Sequence, residues 1–256
     1  MKRLAPLITG LLGLILWEGL VRALGIKPFV LPGPMAIGSA LIADAGPLLD
    51  ASLLTLTITL EAFCLATILG LGFAIAFTRS ALLRAALYPY AVILQVTPIV
   101  SIAPLVIIWV GIDNVTTALL ILATIVAFFP ILSNGVLGFS SIDPNLRDLM
   151  RLYGASGVKI FWQLELPAAL PQILAGLKIA GGLALIGAVV AEFVAGSGGS
   201  TGLAWRIIES GNRLQIPSMF AALVLLSAMG IAIFSALSAL EHYLLKDWHE
   251  SAFRPE

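Results

Sequence analysis

Hydrophobic positions in this chain do not alternate with polar ones. They run together in long stretches almost free of charge, separated by short segments where Arg, Lys and Asp collect. The stretches lie near residues 4–24, 51–77, 86–111, 115–138, 173–195 and 218–245. Each has about the length, roughly 20 residues or more, that a helix needs to cross the hydrocarbon of a bilayer. In lipid only helices and closed barrels satisfy their own backbone, and these runs are too long for barrel strands. The pattern predicts an all-α integral membrane protein of about six transmembrane helices. Residues 1–50 would form a first helix and an outer segment, 51–245 the core, and 246–256 a tail.

Composition sharpens this picture. The chain is 60% hydrophobic and 11% charged, against about 45–50% and about 25% in soluble domains, so a soluble fold is excluded. Lys2 and Arg3 ahead of an apolar run have the look of a secretion signal. That run is long, contains Glu18 and lacks a small-x-small cleavage site, and is read as a retained helix. Cys64 stands alone inside a span, so no disulfide framework exists and a structural thiol is expected.

Six spans place both termini on one side. Lys2, Arg3, Arg79, Arg84, Arg147, Arg151, Lys159, Lys246 and Arg254 fall on that side, against Arg22, Lys27, Arg206 and Arg213 on the other. Basic loops stay inside, so both termini are expected in the cytoplasm. Lys178, in the first turns of the fifth span, is expected to snorkel to the inner interface. Outside, the prolines of Lys27-Pro28-Phe29-Val30-Leu31-Pro32-Gly33-Pro34 favour an extended lead into a short interfacial helix. The Gly-rich stretch 196–202 leads into a second short segment over 203–210.

The cytoplasmic segment 141–172 carries the most chemistry. Ser141-Ile142-Asp143-Pro144 offers helix-start residues, and Leu146, Leu149, Met150 and Leu152 recur at helical spacing among Arg147, Asp148 and Arg151. Gly154 interrupts, and Val158, Ile160, Phe161 and Leu164 supply a second short apolar face that Pro167 and Pro171 are expected to end. A helix lying on the membrane and a docking helix for a cytoplasmic partner both fit these residues. Gly154 is expected to act as a hinge, and the charges around it, Arg147 included, to matter less as exposed surface charges.

Ionisable groups in hydrocarbon are costly, so each needs an account. Glu61 either lines a cavity or bonds to a neighbouring helix, and Glu192, near the outer end of its span, is placed to reach water. In the third span Pro98 and Pro104 remove backbone donors, with Gln95, Thr97 and Ser101 nearby, so this span is expected to be kinked or broken. Irregular backbone at membrane depth is tolerated where it is buried or faces a wet cavity. Glu61, Gln95, Thr97, Pro98, Ser101 and Glu192 are therefore the candidate pathway-lining residues. Gly176, Gly181, Gly182 and Gly187 with Ala180, Ala184 and Ala188 form a close-packing face, within the bundle or between two copies.

The segment Asp148-Leu149-Met150-Arg151-Leu152-Tyr153-Gly154-Ala155-Ser156, followed by Phe161 and Leu166-Pro167, resembles the coupling-loop signature of binding-protein-dependent ABC importer permeases. That signature opens with Glu-Ala-Ala, places Gly four residues after the second Ala, and closes on Leu-Pro. Gly154, Ala155, Leu166 and Pro167 match, while Asp148-Leu149-Met150 keeps the acid and replaces two small residues by larger apolar ones. Leu31-Pro32-Gly33-Pro34, Gln95-Val96-Thr97-Pro98, Ala103-Pro104-Leu105, Trp109-Val110-Gly111 and Ala191-Glu192-Phe193-Val194 are similar to landmarks of the nitrate, taurine and sulfonate branch. Thr59-Leu60-Glu61-Ala62 and the run 186–194 look nearer to permeases for thiamine-precursor pyrimidines or riboflavin.

The resemblance implies a type I ABC importer permease fold in the bacterial cytoplasmic (inner) membrane. It implies a second copy of the chain, two cytoplasmic ATPase subunits, and a periplasmic or lipid-anchored substrate-binding protein. The matching ATPase-coupling residues are Asp148, Leu149, Met150, Gly154, Ala155, Ser156, Phe161, Leu166 and Pro167. No Gly-x-x-x-x-Gly-Lys-Ser/Thr phosphate loop occurs, so ATP and Mg are expected on the partner and no cofactor or metal on this chain. Nothing points to nucleic acid.

Two other readings are weighed. Gly154-Ala155-Ser156-Gly157 matches the Gly-x-Ser-Gly of rhomboid-type intramembrane proteases, but the two histidines, His242 and His249, lie at the C-terminal end and Ser156 lies in a charged loop. A secondary transporter would tend to show internal repeats, and none is visible.

Overall fold

In the computed structural model, residues 5–196 and 201–246 are described, apart from the Ile112 side chain. Lys2, Arg3, Ser197, His249 and Arg254 thus lie outside the described residues. The helices run α1 (Ala5–Ala23), α2 (Pro34–Ala43), α3 (Ala45–Arg79), α4 (Ala81–Val96), α5 (Ile99–Val110) and α6 (Val115–Ser140). They continue with α7 (Pro144–Leu152), α8 (Gly157–Ile160), α9 (Leu166–Ala195), α10 (Leu203–Asn212) and α11 (Ile216–Leu245). Among the described residues the secondary structure is entirely helical.

The long helices follow the uncharged runs, because a helix is the one way such a run can enter lipid with its backbone bonded. At 35 residues, α3 spans about 52 Å at about 1.5 Å per residue, well beyond the ~30 Å of hydrocarbon. It ends at Arg79, where Ser80 turns extended and its hydroxyl caps α4 by accepting from the Leu83 N–H at 3.2 Å.

The core is a stack of three helices in which α6 lies along both α3 and α9, while α3 and α9 touch each other less. Ile58, Leu119, Leu122 and Ala188 fill one end, Ala66, Ala127, Ile131 and Ala184 the middle, and Phe77, Leu132, Phe139 and Ile173 the other end. The contacts of α9 are close because its inner face is made of Gly and Ala. A Cβ added at Gly176 would sit 2.7 Å from Asn134 Cβ, and one at Gly187 2.9 Å from Ala123 Cα. A Cβ at Gly181 would run into the Leu237 side chain of α11 in the same way, whereas Gly182 faces open space. Most of the small-residue face thus packs within the bundle.

The third apolar run is not one helix. It forms α4 and α5, bent by 104° at Thr97-Pro98. Pro98 cannot donate to a carbonyl one turn back, and Thr97 adopts φ −71° and ψ 123°, the extended conformation favoured before proline. Helix α4 packs by Ala91 and Tyr88 on the cluster around Phe77, and α5 packs by Ala103 and Val106 on the opposite cluster around Ile58. The two halves therefore carry the chain from one end of the bundle to the other. Among the described residues five helices are long and apolar enough to cross a membrane, and the bent pair, taken as one span, gives six.

A second departure concerns Pro167 and Pro171, which do not end the loop. Pro167 follows directly on a π-helical turn at the start of α9 and Pro171 is carried inside that helix, so each removes one backbone donor without ending the segment. A π-helical turn, Phe161–Glu165, joins α8 to α9 without a break.

Helix α1 stays mostly uncovered, with Val21 its one buried residue. Glu18 holds it, pairing with Arg22 at 2.6 Å and accepting from the Met35 N–H of α2 at 3.1 Å. Lys178 pairs with Glu241 of α11 rather than simply reaching outward, and Ser218 of α11 donates to Asp44 at 2.7 Å.

Candidate functional site

The loop between α6 and α9 is built from local rules. Asp143 caps α7 by accepting from the Asn145 N–H at 2.9 Å, with Pro144 in the first turn. The helix closes on Gly154. The Ala155 N–H bonds the Met150 carbonyl at 3.0 Å and the Gly154 N–H bonds the Arg151 carbonyl at 2.9 Å, the paired bonds of a Schellman motif. Gly154 takes φ +74°, and nothing lies within 4 Å of where its Cβ would be. Its requirement is conformational rather than spatial. Ser156 then caps α8, accepting from the Lys159 N–H at 3.3 Å.

None of the nine residues of α7 is buried. Leu149 is 47% exposed, Leu152 85% and Tyr153 84%, and beyond the turn Val158 and Trp162 are also uncovered. Asp148 is exposed and pairs with Arg151 at 3.2 Å. Of the residues matched to the signature, Phe161 turns inward. It stacks on Phe139 at 6.0 Å, with the Arg79 guanidinium 5.9 Å from its ring. Leu166 packs against the neighbouring cluster of α3, α6 and α9.

The residue at the centre of this region, Glu165, is not among those the sequence pattern singles out. Glu165 is 3% exposed. Arg79, at the end of α3, donates to both its carboxylate oxygens, the bond from Nη1 to Oε1 measuring 3.3 Å. Arg147 of α7 brings Nε to 2.9 Å from Oε1, an ion-pair contact rather than a well-directed hydrogen bond. Its Nη2 donates to the Phe139 carbonyl at 3.2 Å, in the last turn of α6. Arg147 is therefore not a free surface charge: its side chain is 30% exposed and its head reaches into the bundle. A polar cavity of about 340 Å³ opens beside this knot, bordered by Arg79, Arg147, Arg151 and Glu165. The available signal was a lone acid between Leu164 and Leu166 at the start of an apolar helix.

The candidate pathway residues do not form one group. Gln95, Thr97 and Pro98 come together at the α4–α5 break, where with Val126, Pro130 and Leu183 they border a cavity of about 380 Å³. Thr97 donates its hydroxyl to the Ile93 carbonyl at 2.7 Å. Ser101 lies exposed one turn into α5 and does not line that cavity. Glu61 lies on the exposed side of α3. Among the described residues it makes no hydrogen bond or ion pair, so the expected bond to a neighbouring helix is not formed.

Glu192 departs from expectation most. It is fully buried rather than in reach of water. Thr55 of α3 donates to its Oε1 at 2.7 Å, and the Ala204 N–H, in the first turn of α10, donates to Oε2 at 2.9 Å. The same Thr55 hydroxyl accepts from the Leu203 N–H at 3.0 Å. Gly202 packs directly on the carboxylate, leaving no room for a Cβ. One carboxylate and one hydroxyl thus satisfy the free N–H groups that begin α10.

Comparison with known proteins identifies what this arrangement belongs to. Residues 66–246 match the family described as binding-protein-dependent transport system inner membrane component. A formylaminopyrimidine transport permease protein of Halalkalibacterium halodurans is 30% identical over 95% of this chain and 96% of its own length. A riboflavin transport system permease protein of Chloroflexus aurantiacus is 32% identical over 95% of this chain and 90% of its own. Among solved structures, a chain of the MetNI methionine ABC transporter in inward-facing form aligns with TM-score 0.61 at 20% identity, covering 77% of this chain and 95% of that one, and shows the same fold. A multi-pass bundle of this fold, matched along most of its length, is not an enzyme but belongs to the family of inner-membrane permease components of binding-protein-dependent ABC importers.

Proposed function

We propose that two copies of this chain form the pathway of an ATP-driven importer, receiving a small solute from a substrate-binding protein outside and docking two ATPase subunits inside. The observation that carries this reading is α7, an amphipathic helix whose apolar residues Leu149 and Leu152, with Tyr153 just past its end, are left uncovered by its own chain. Such a face suits a groove on a cytoplasmic partner. ATP and Mg would be bound by that partner. The basic residues Arg79, Arg84, Arg147, Arg151 and Lys159 lie in or beside the turns toward the α7 end, which supports a cytoplasmic location for that end and, with six spans, for both termini.

The solute would pass the α4–α5 break, where Gln95 and Thr97 give the cavity its polar edge. Among the described residues, no Lys or Arg borders that cavity. This favours an uncharged heterocyclic solute, of the pyrimidine or riboflavin kind, over a sulfonate or nitrate-like anion, whose charge would find no partner there. Glu61, exposed on α3, would serve the pathway only through a second copy.

Co-expression with the ATPase subunit tests the reading. The two are expected to co-purify in equal numbers and hydrolyse ATP together, while the permease alone does not. Replacing Leu149 and Leu152 by Glu should abolish co-purification. ATP hydrolysis by the isolated chain, or undiminished co-purification of that variant, would sink the proposal.

A further inference from the structure

The coupling helix is poorly attached to the bundle it is meant to move. No residue of α7 is buried, and the polar cavity of about 340 Å³ separates the loop from the helices behind it. The chain is anchored just before α7 by Ile142 and well after it by Ile160, both buried. Between those two points lies a turn held open by Gly154. An apolar contact could not transmit a pull through such a segment, because no interdigitated side chains resist sliding.

One side chain of α7 does reach inward. Arg147 contacts Glu165 at 2.9 Å and the Phe139 carbonyl at 3.2 Å. Glu165 in turn holds Arg79 through both its oxygens. Three elements therefore meet at one buried carboxylate, α7 through Arg147, the π-helical turn leading into α9 through Glu165 itself and the end of α3 through Arg79, and Arg147 adds the end of α6 by its bond to the Phe139 carbonyl. The Arg79 guanidinium also covers Phe161, whose ring stacks on Phe139. Arg79 grips both carboxylate oxygens with its planar fork, which fixes direction as well as distance where a lysine ammonium does not, and Arg147 spans the carboxylate and the Phe139 carbonyl. A buried carboxylate resists losing either arginine, because removing one leaves part of its charge uncompensated.

We propose that Glu165 is the positioning residue that couples α7 to the pathway helices, with Arg79 and Arg147 as its two arms. The proposal rests on the reading of α7 as the ATPase docking helix. When a docked ATPase moves α7, the knot makes α3 and the start of α9 move with it. Without the knot, α7 swings on its flanking turns and the displacement is spent there.

The test uses the full-length chain in lipid nanodiscs, in a Cys64→Ala background, with spin labels at Asn145 on α7, outside the docking residues Leu149 and Leu152, and at Ile68 on α3. In the parent protein the distance distribution is expected to be narrow, with and without ATPase partner, Mg-ATP or ADP-vanadate. Glu165→Gln should broaden and shift it, most of all in the ADP-vanadate state. In the assembled complex, stimulation of ATP hydrolysis by the purified binding protein should fall about tenfold, within the ordinary range of coupling between sites. A distribution unchanged by Glu165→Gln would overturn the proposal, whether or not stimulation falls. Should that variant fail to fold, Arg147→Lys and Arg79→Lys keep the charges and remove the forks. Each should broaden the distribution partially, and no change in either would again overturn the proposal. If the ATPase does not bind the parent chain, the functional reading fails, while the distances in the permease alone still decide whether Glu165 fixes α7.

Discussion

Gly154 and Glu165 show how differently single residues announce themselves. The positive φ at Gly154 follows from a rule visible in the sequence, because a helix of alternating apolar and charged residues that stops at a glycine commonly stops in the left-handed conformation. A β-branched side chain there is an outlier costing about 1–2 kcal/mol or more in backbone strain alone. Gly154→Val is therefore expected to leave the bundle inserted and to weaken ATPase co-purification, with Gly154→Ala affected less, as pull-down from membranes would measure. Equal co-purification of Gly154→Val and the parent would remove the conformational role. Arg147 gave no such signal. Its spacing among Leu146, Leu149 and Asp148 is that of an ordinary exposed charge, and only the approach of a carboxylate eighteen residues later along the chain makes it a structural one.

Among the elements, the broken span was legible and the tethered helix was not. Proline chemistry at Pro98 announces a break, since a missing donor and a restricted neighbour act locally. The 104° bend and the cavity beside it depend on where α6 and α9 stand. Helix α10 reads from the sequence as a short segment after a glycine run, with nothing to say that its first turn rests on a glutamate from α9 and a threonine from α3. That arrangement makes Thr55 the sharpest probe of the element. Thr55→Val removes the hydroxyl that donates to Glu192 and accepts from Leu203, leaving buried groups unpaired at a cost of about 1–3 kcal/mol. Faster amide exchange over 203–206, with the centre of α6 unchanged, is the expected result. Unchanged exchange in α10 would mean that packing against α11 holds the helix by itself.

At the scale of the whole molecule, the two ends of the bundle differ in charge as well as in shape. The α7 end gathers Arg79, Arg84, Arg147, Arg151 and Lys159, and the α10 end carries Arg206 and Arg213 paired to Glu209. In a Cys64→Ala background, a thiol at Leu214 should be labelled from outside intact cells, and one at Leu152 only after the membrane is opened, with tags at both termini behaving like Leu152. Labelling of Leu152 and Leu214 from the same side would reject the orientation. The sequence by itself determined the membrane-spanning helical architecture, the break at Pro98, the caps of α7 and the glycine that closes it. All of these follow from solvation of the backbone or from interactions within a few residues. Tertiary structure alone decided that the small-residue face of α9 packs inward, that Glu192 is a buried cap rather than a wet carboxylate, and that Arg79 and Arg147 converge on Glu165. These depend on groups up to 137 residues apart along the chain. A buried charge becomes tolerable only when a distant partner is brought to it, and the sequence around the charge does not say which partner that will be.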